Sequence, residues 1–144
     1  MPVTIKKIVL WRTEVDNKPG ALARRLEPAA KAGADLKVVM GYRHQAAKGA
    51  VIEVFPITGK KAAAAAGAVG LSPAAIPTLL VEGDNKPGLG YAIAQAVAGG
   101  GINIAFLMAQ VIGLKFAAVI GFETEDDATK AMPMIKGAVR GART

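Results

Sequence analysis

The pentapeptide Asp-Asn-Lys-Pro-Gly stands twice in this chain, at 16–20 and again at 84–88. The shift of 68 positions that superposes the two also superposes, without a gap, Glu14 on Glu82, Ala30 on Ala98, Gly33 on Gly101, Met40 on Met108, Ala50-Val51-Ile52 on Ala118-Val119-Ile120 and Ala63 on Ala131. Similar residues fill in between: Asp35 with Asn103, Leu36 with Ile104, Val39 with Leu107 and Val54 with Phe122. Self-similarity at one fixed period is the mark of a supersecondary unit written out more than once. The expected organisation is two related units, residues 1–72 and 73–144.

Units of this size lie near the lower limit for independent folding, because a small domain buries too little of its surface. The 144-residue chain contains no cysteine, so neither disulfides nor thiolate-bound metal can compensate. The two units are therefore expected to share a core or to bury surface against another chain. A formal charge of +7 would suit an anionic ligand or a nucleic acid. Much of that excess is scattered or terminal, as in Lys136, Arg140 and Arg143, which fits a solvated basic surface. The apolar run after Lys6 and Lys7 is too short for a signal peptide and reads as a strand, which leads to the expectation of a cytoplasmic protein.

Residues 87–114 carry no charge and are long enough to cross a bilayer. The repeat supplies an internal control, since the matching stretch 19–46 contains Arg24, Arg25, Glu27, Lys31, Asp35, Lys37 and Arg43. Gly99-Gly100-Gly101 would also interrupt a membrane helix. The missing charges instead leave the helix over 89–98 without a face designed for water, which points to a homo-oligomer packed through that helix.

Local signals predict the same order of elements in each unit. In the first, a strand over 7–15 turns through Pro-Gly into a helix over 20–32, which Gly33 stops. Strands over 36–42 and 50–57 follow, joined by a polar hairpin over 43–49, and then an alanine-rich helix over 60–68. The second unit repeats this with strands at 77–82, 103–111 and 116–122 and helices at 88–98 and 125–136. Thr124 is the expected N-cap of the last helix, with Glu125, Asp126 and Asp127 in its positive first turn. A fourth strand is hard to place: 70–76 contains Pro73, and 139–142 is short and basic, so any such strand is short or at an edge. The expected class is α+β, two ferredoxin-like β-α-β-β-α-β units packed as a pseudo-dimer with antiparallel sheets.

A strand, then Asp-Asn-Lys-Pro-Gly opening a helix, then Gly-x-Asp/Asn-Leu/Ile at the next strand, resembles the ACT domain, a small-molecule-binding regulatory module. The resemblance covers nearly the whole chain, twice, with a Gly 15 residues after each motif lysine, Gly33 after Lys18 and Gly101 after Lys86. The physics of the loop agrees with it. Free N–H groups of Gly20, Ala21 and Leu22, and of Gly88, Leu89 and Gly90, at the positive end of a helix would seat a carboxylate. Asp16 and Asp84, or the side-chain oxygens of Asn17 and Asn85, would take an ammonium group. Together they suit a free amino acid or a similar small carboxylate. For Asp16 and Asp84 the competing role is capping of the following helix, and for Lys18 and Lys86 an exposed turn.

The resemblance further implies that two modules pair side by side in one eight-stranded sheet, with ligands at their junction. Each first loop would then face the start of a neighbour's second strand, here Asp35-Leu36 and Asn103-Ile104. The two sites should differ, because Asn103 both donates and accepts hydrogen bonds whereas ionised Asp35 would repel a carboxylate. The implied role is that of a regulatory protein without cofactor, acting in trans on a partner enzyme or regulator.

Other classes find less support. Lys115–Phe122 running into acidic residues looks like the third strand of an RNA-recognition module, but the positions that would stack bases are Ala117 and Val119, which leaves Phe116 as the sole aromatic on offer. For an enzyme there is no Ser/His/Asp or Cys/His arrangement, no metal-ligand spacing and no phosphate loop, and the single histidine, His44, sits in a predicted hairpin beside Arg43. A structural or partner-binding subunit without a ligand is the remaining alternative, in which both loops are merely turns.

Overall fold

The computed structural model describes residues 3–44 and 49–141. It contains two four-stranded antiparallel sheets, each accompanied by two helices. The units do not divide at 72/73. One is Val9–Ala75; the other joins the segment ending at Ile8 to the segment beginning at Ile76.

The unit Val9–Ala75 holds, in chain order, β2 (Trp11–Val15), α1 (Ala21–Lys31), β3 (Val38–His44), β4 (Gly49–Phe55), α2 (Gly59–Ala68) and β5 (Ser72–Pro73), after a first strand β1 (Thr4–Ile8) that belongs elsewhere. Its sheet order is β3-β4-β2-β5. The fourth strand is the two-residue edge expected around Pro73, paired to Trp11 and Arg12. The core gathers Val15, Ala21, Ile52, Val54, Ala66 and Leu71 between the sheet and the helices. Gly33, at φ 82°, ends α1 where the N–H groups of Gly33 and Ala34 return to the carbonyls of Ala30 and Ala29. The tip of the hairpin expected over 43–49, Gln45–Lys48, lies outside the described residues.

The other unit holds β6 (Thr78–Asp84), α3 (Leu89–Gly99), β7 (Ile104–Ile112), β8 (Lys115–Phe122) and α4 (Glu125–Gly141). Its sheet order is β1-β6-β8-β7, so the N-terminal strand of the chain supplies the missing fourth strand. β1 pairs with β6 from Thr4↔Glu82 to Ile8↔Thr78. Lys7 Nζ donates to Glu125 Oε2 at 3.0 Å and to Thr129 Oγ1 at 2.7 Å, tying β1 to α4. The single strand expected over 7–15 is thus two strands in different sheets. The candidate strand over 139–142 is corrected as well: α4 runs to Gly141 because Ala128, Ala131, Ile135 and Val139 form a helical stripe buried against the sheet. Thr124 caps α4 as expected, its Oγ1 accepting from the Asp127 N–H at 3.0 Å.

α3 buries Leu89, Ile93 and Val97 and exposes Tyr91, Ala94 and Gln95. No helix among the described residues is long and apolar enough to cross a membrane.

Candidate ligand-binding site

Each pentapeptide folds as a reverse turn that launches a helix. Pro19 and Gly20 occupy the two central positions, the Ala21 N–H returns to the Lys18 carbonyl at 3.2 Å, and Gly20 takes φ 86° and ψ −9°. Those angles are the glycine position of a type II turn, with proline favoured just before it. The second copy repeats the geometry with Gly88 at φ 85° and the Leu89 N–H returning to Lys86 at 3.4 Å. The proline therefore precedes the helix, and Ala21 and Leu89 do not keep the free N–H groups expected of them. At each helix start, the N–H groups of Gly20 and Leu22, and of Gly88 and Gly90, find no acceptor among the described residues.

Neither aspartate caps its helix; both helix starts lack a side-chain capping bond. The two copies then diverge. Asp84 accepts from Lys115 Nζ at 2.6 Å, and the Lys115 ammonium holds the Asp84 carboxyl down to about 2. Asp16 makes no ion pair among the described residues. The Asn85 N–H donates to the Leu114 carbonyl at 2.8 Å, which fastens the second loop to the β7–β8 turn.

A cavity of about 260 Å³ opens at the first loop. Asp16, Asn17, Lys18, Ala21 and Leu22 line it from one side, and Gly41, Tyr42, Arg43, Ala50, Val51 and Ile52 from β3 and β4, with Val15 at the end of β2. Of the expected first-loop residues, Gly20 is not part of the lining. Its Cβ, if it had one, would lie 3.1 Å from Arg24 Nη1.

The second-strand residues lie elsewhere within their own units. Asp35 lines a separate cavity of about 470 Å³ with Lys37, Thr58, Lys60 and Lys61, and its carboxylate is ion-paired with Lys37. Leu36 and Ile104 pack against the cores of their units. Asn103 Nδ2 donates to Glu123 Oε1 at 2.6 Å.

Gly41, Tyr42 and Arg43 were not among the residues picked from sequence. The repeat carries a usable signal for them, because the same positions of the second copy hold Ala109, Gln110 and Val111. Tyr42 also donates its hydroxyl to Glu53 Oε1 at 3.2 Å. Phe116 is 6% exposed, inside the core with Ala118, Ile120 and Phe122, so the aromatic left open for base stacking is not available.

The fold finds counterparts among solved structures. The regulatory subunit of aspartate kinase from Thermus thermophilus, in its ligand-free form, is 17% identical with a TM-score of 0.64, covering 96% of this chain and 97% of that one. The chain has the tandem ACT fold. The aspartokinase alpha and beta subunits superpose with a TM-score of 0.66 at 16% identity, covering 97% of this chain and 98% of theirs. A protein from Bacteroides thetaiotaomicron reaches 0.68 at 17% identity, over 91% of this chain and 88% of that one. No protein-family profile matches the sequence, and no curated protein matches it. In ACT terms, Val9–Ala75 is one complete unit, set within the sequence of a second whose fourth strand comes from the start of the chain.

Proposed function

We propose that this chain is a cytoplasmic regulatory protein that binds a free amino acid, or a similarly small carboxylate, at its first Asp-Asn-Lys-Pro-Gly loop and acts in trans on a partner enzyme or regulator. The observation that carries this reading is the cavity at that loop, where Asp16, Lys18 and Arg43 converge with no ion pairs among the described residues. Opposite charges on one small cavity suit a zwitterion: Asp16 for the ammonium, and Lys18, Arg43 and the N–H group of Leu22 for the carboxylate. The solved regulatory subunits of aspartate kinase support a regulatory role on grounds of fold. Asn17 lines the same cavity as a further polar contact. Asp84, Asn85, Gly88, Leu89 and Gly90 form a second seat that the Lys115 pairing weakens, since the acid there is already matched.

Binding is expected to favour the state of the chain in which the first loop is ordered around the ligand, a bias that a partner can read. A thermal-shift screen of the whole chain against the common amino acids tests it. A ligand at about 100 times its Kd stabilises by about 2.7 kcal/mol and raises Tm accordingly. Asp16→Asn is expected to weaken that ligand by about 10-fold to 100-fold, the worth of one charge-assisted hydrogen bond, while leaving the unliganded Tm in place. A folded preparation that shifts with no amino acid contradicts the proposal.

A further inference from the structure

We infer that the side chain of the bound amino acid is aliphatic, of valine to leucine size, and that Gly41 is the residue that makes room for it. This rests on the functional reading above and concerns the same cavity.

The cavity is amphipathic in an ordered way. In the sheet register Val15 and Arg43 both pair with Ala50, and Gly41 pairs with Ile52, which puts these residues on the sheet face that α1 covers. Val15, Ala21 and Ile52 are all buried and apolar, and they form the floor. Asp16, Lys18 and Arg43 are exposed and stand at the rim. A ligand with its head group at the rim must send its side chain toward that floor. A charged side chain there would give up its hydration and find no partner. An aliphatic one gains roughly fourfold in affinity for each CH₂ buried. The volume, about 260 Å³, falls just under the ~300–1,000 Å³ of sites for drug-sized molecules, so the occupant is small.

Gly41 has no other evident reason to be glycine. Its φ is not positive, and a Cβ built on it meets nothing within 4 Å. Glycine inside a strand weakens it, and such a position often marks close approach of a ligand. The second copy lacks the corresponding space-making residues: Ala109 replaces Gly41 and Leu89 replaces Ala21, and Leu89 is 1% exposed within its core.

Calorimetric titration of the whole chain with glycine, alanine, valine, leucine, isoleucine, aspartate and lysine reads the preference directly. Valine, leucine or isoleucine should bind at least about tenfold more tightly than glycine, aspartate or lysine, as burial of two or more methylenes requires. Gly41→Val fills the cavity at a position with open space. It should leave the unliganded Tm equal or higher while weakening leucine at least about tenfold, with alanine little affected. Tightest binding of a charged amino acid, or unchanged leucine binding by a folded Gly41→Val, overturns the inference while leaving the functional reading intact. A chain that binds no amino acid at all overturns both.

Discussion

Glu53 lies in the middle of β4 with 2% of its surface exposed. Its Oε1 accepts from Tyr42 and lies 3.6 Å from Arg12 Nε, while Oε2 is buried without a hydrogen-bond partner among the described residues. Burial raises its pKa, and the Tyr42 hydrogen bond and the Arg12 charge only partly offset this. The folded protein therefore holds the Glu53 proton to higher pH than the unfolded chain does. The associated stability is full below the ordinary glutamate range, near 4.3, and is lost as pH rises through the folded value. Glu53→Gln removes that loss, so Tm of the variant minus Tm of the wild type should be larger at pH 7 than at pH 4. An equal difference at both pH values would show that the carboxyl titrates normally. In sequence nothing sets this glutamate apart, because strand alternation alone does not say which polar residue of an apolar run is covered. Asp16 and Asp84 were equally indistinguishable there: the pairing of Asp84 depends on Lys115, 31 positions away on a neighbouring strand.

At the scale of elements, most of the chain was legible because its signals are local. The helix stops at Gly33 and Gly101 and the Thr124 cap act within a few residues, and the structure places each as read, while the Lys-Pro-Gly turn launches each helix but uses the N–H of Ala21 or Leu89 to close itself. The destination of β1 was not legible. Thr4–Ile8 and Trp11–Val15 follow one another with only Val9 and Leu10 between, and pairing with Thr78–Glu82 is a nonlocal event that no local pattern encodes. The end of α4 was underread for a related reason: Pro133 and Gly137 suggest an early stop, yet the buried stripe through Val139 carries the helix onward. α3 has the opposite character, with a well-defined buried stripe and an outer face free of charge. We propose that this outer face receives a second copy of the chain. Ala94→Glu keeps a good helix former at an exposed position while placing a charge on that face. Light scattering should then show a dimer or higher species for the wild type and a monomer for the variant. A wild-type monomer across the accessible concentrations contradicts this.

For the whole molecule, duplication explains the common architecture, and the differences between copies set the first loop apart from the second. Both units use the same turn, helix start and sheet order, so the repeat made the plan of each unit legible, apart from the strand β1 that completes the second sheet. The site required three-dimensional information. The first loop has a cavity where Ala21 and Gly41 are small, at positions that hold Leu89 and Ala109 in the second copy, while the second loop has its acid matched by Lys115. The first Asp-Asn-Lys-Pro-Gly loop is the proposed seat of an amino acid. Assigned amide spectra of the isotope-labelled chain, recorded during titration with the aliphatic amino acids, test it most directly. Saturable shifts should concentrate at residues 16–22 and 41–43, with the Leu22 N–H signal moving downfield as it gains an acceptor, and residues 84–90 moving less. Saturable shifts confined to other parts of the chain, or none with any amino acid, would contradict the account.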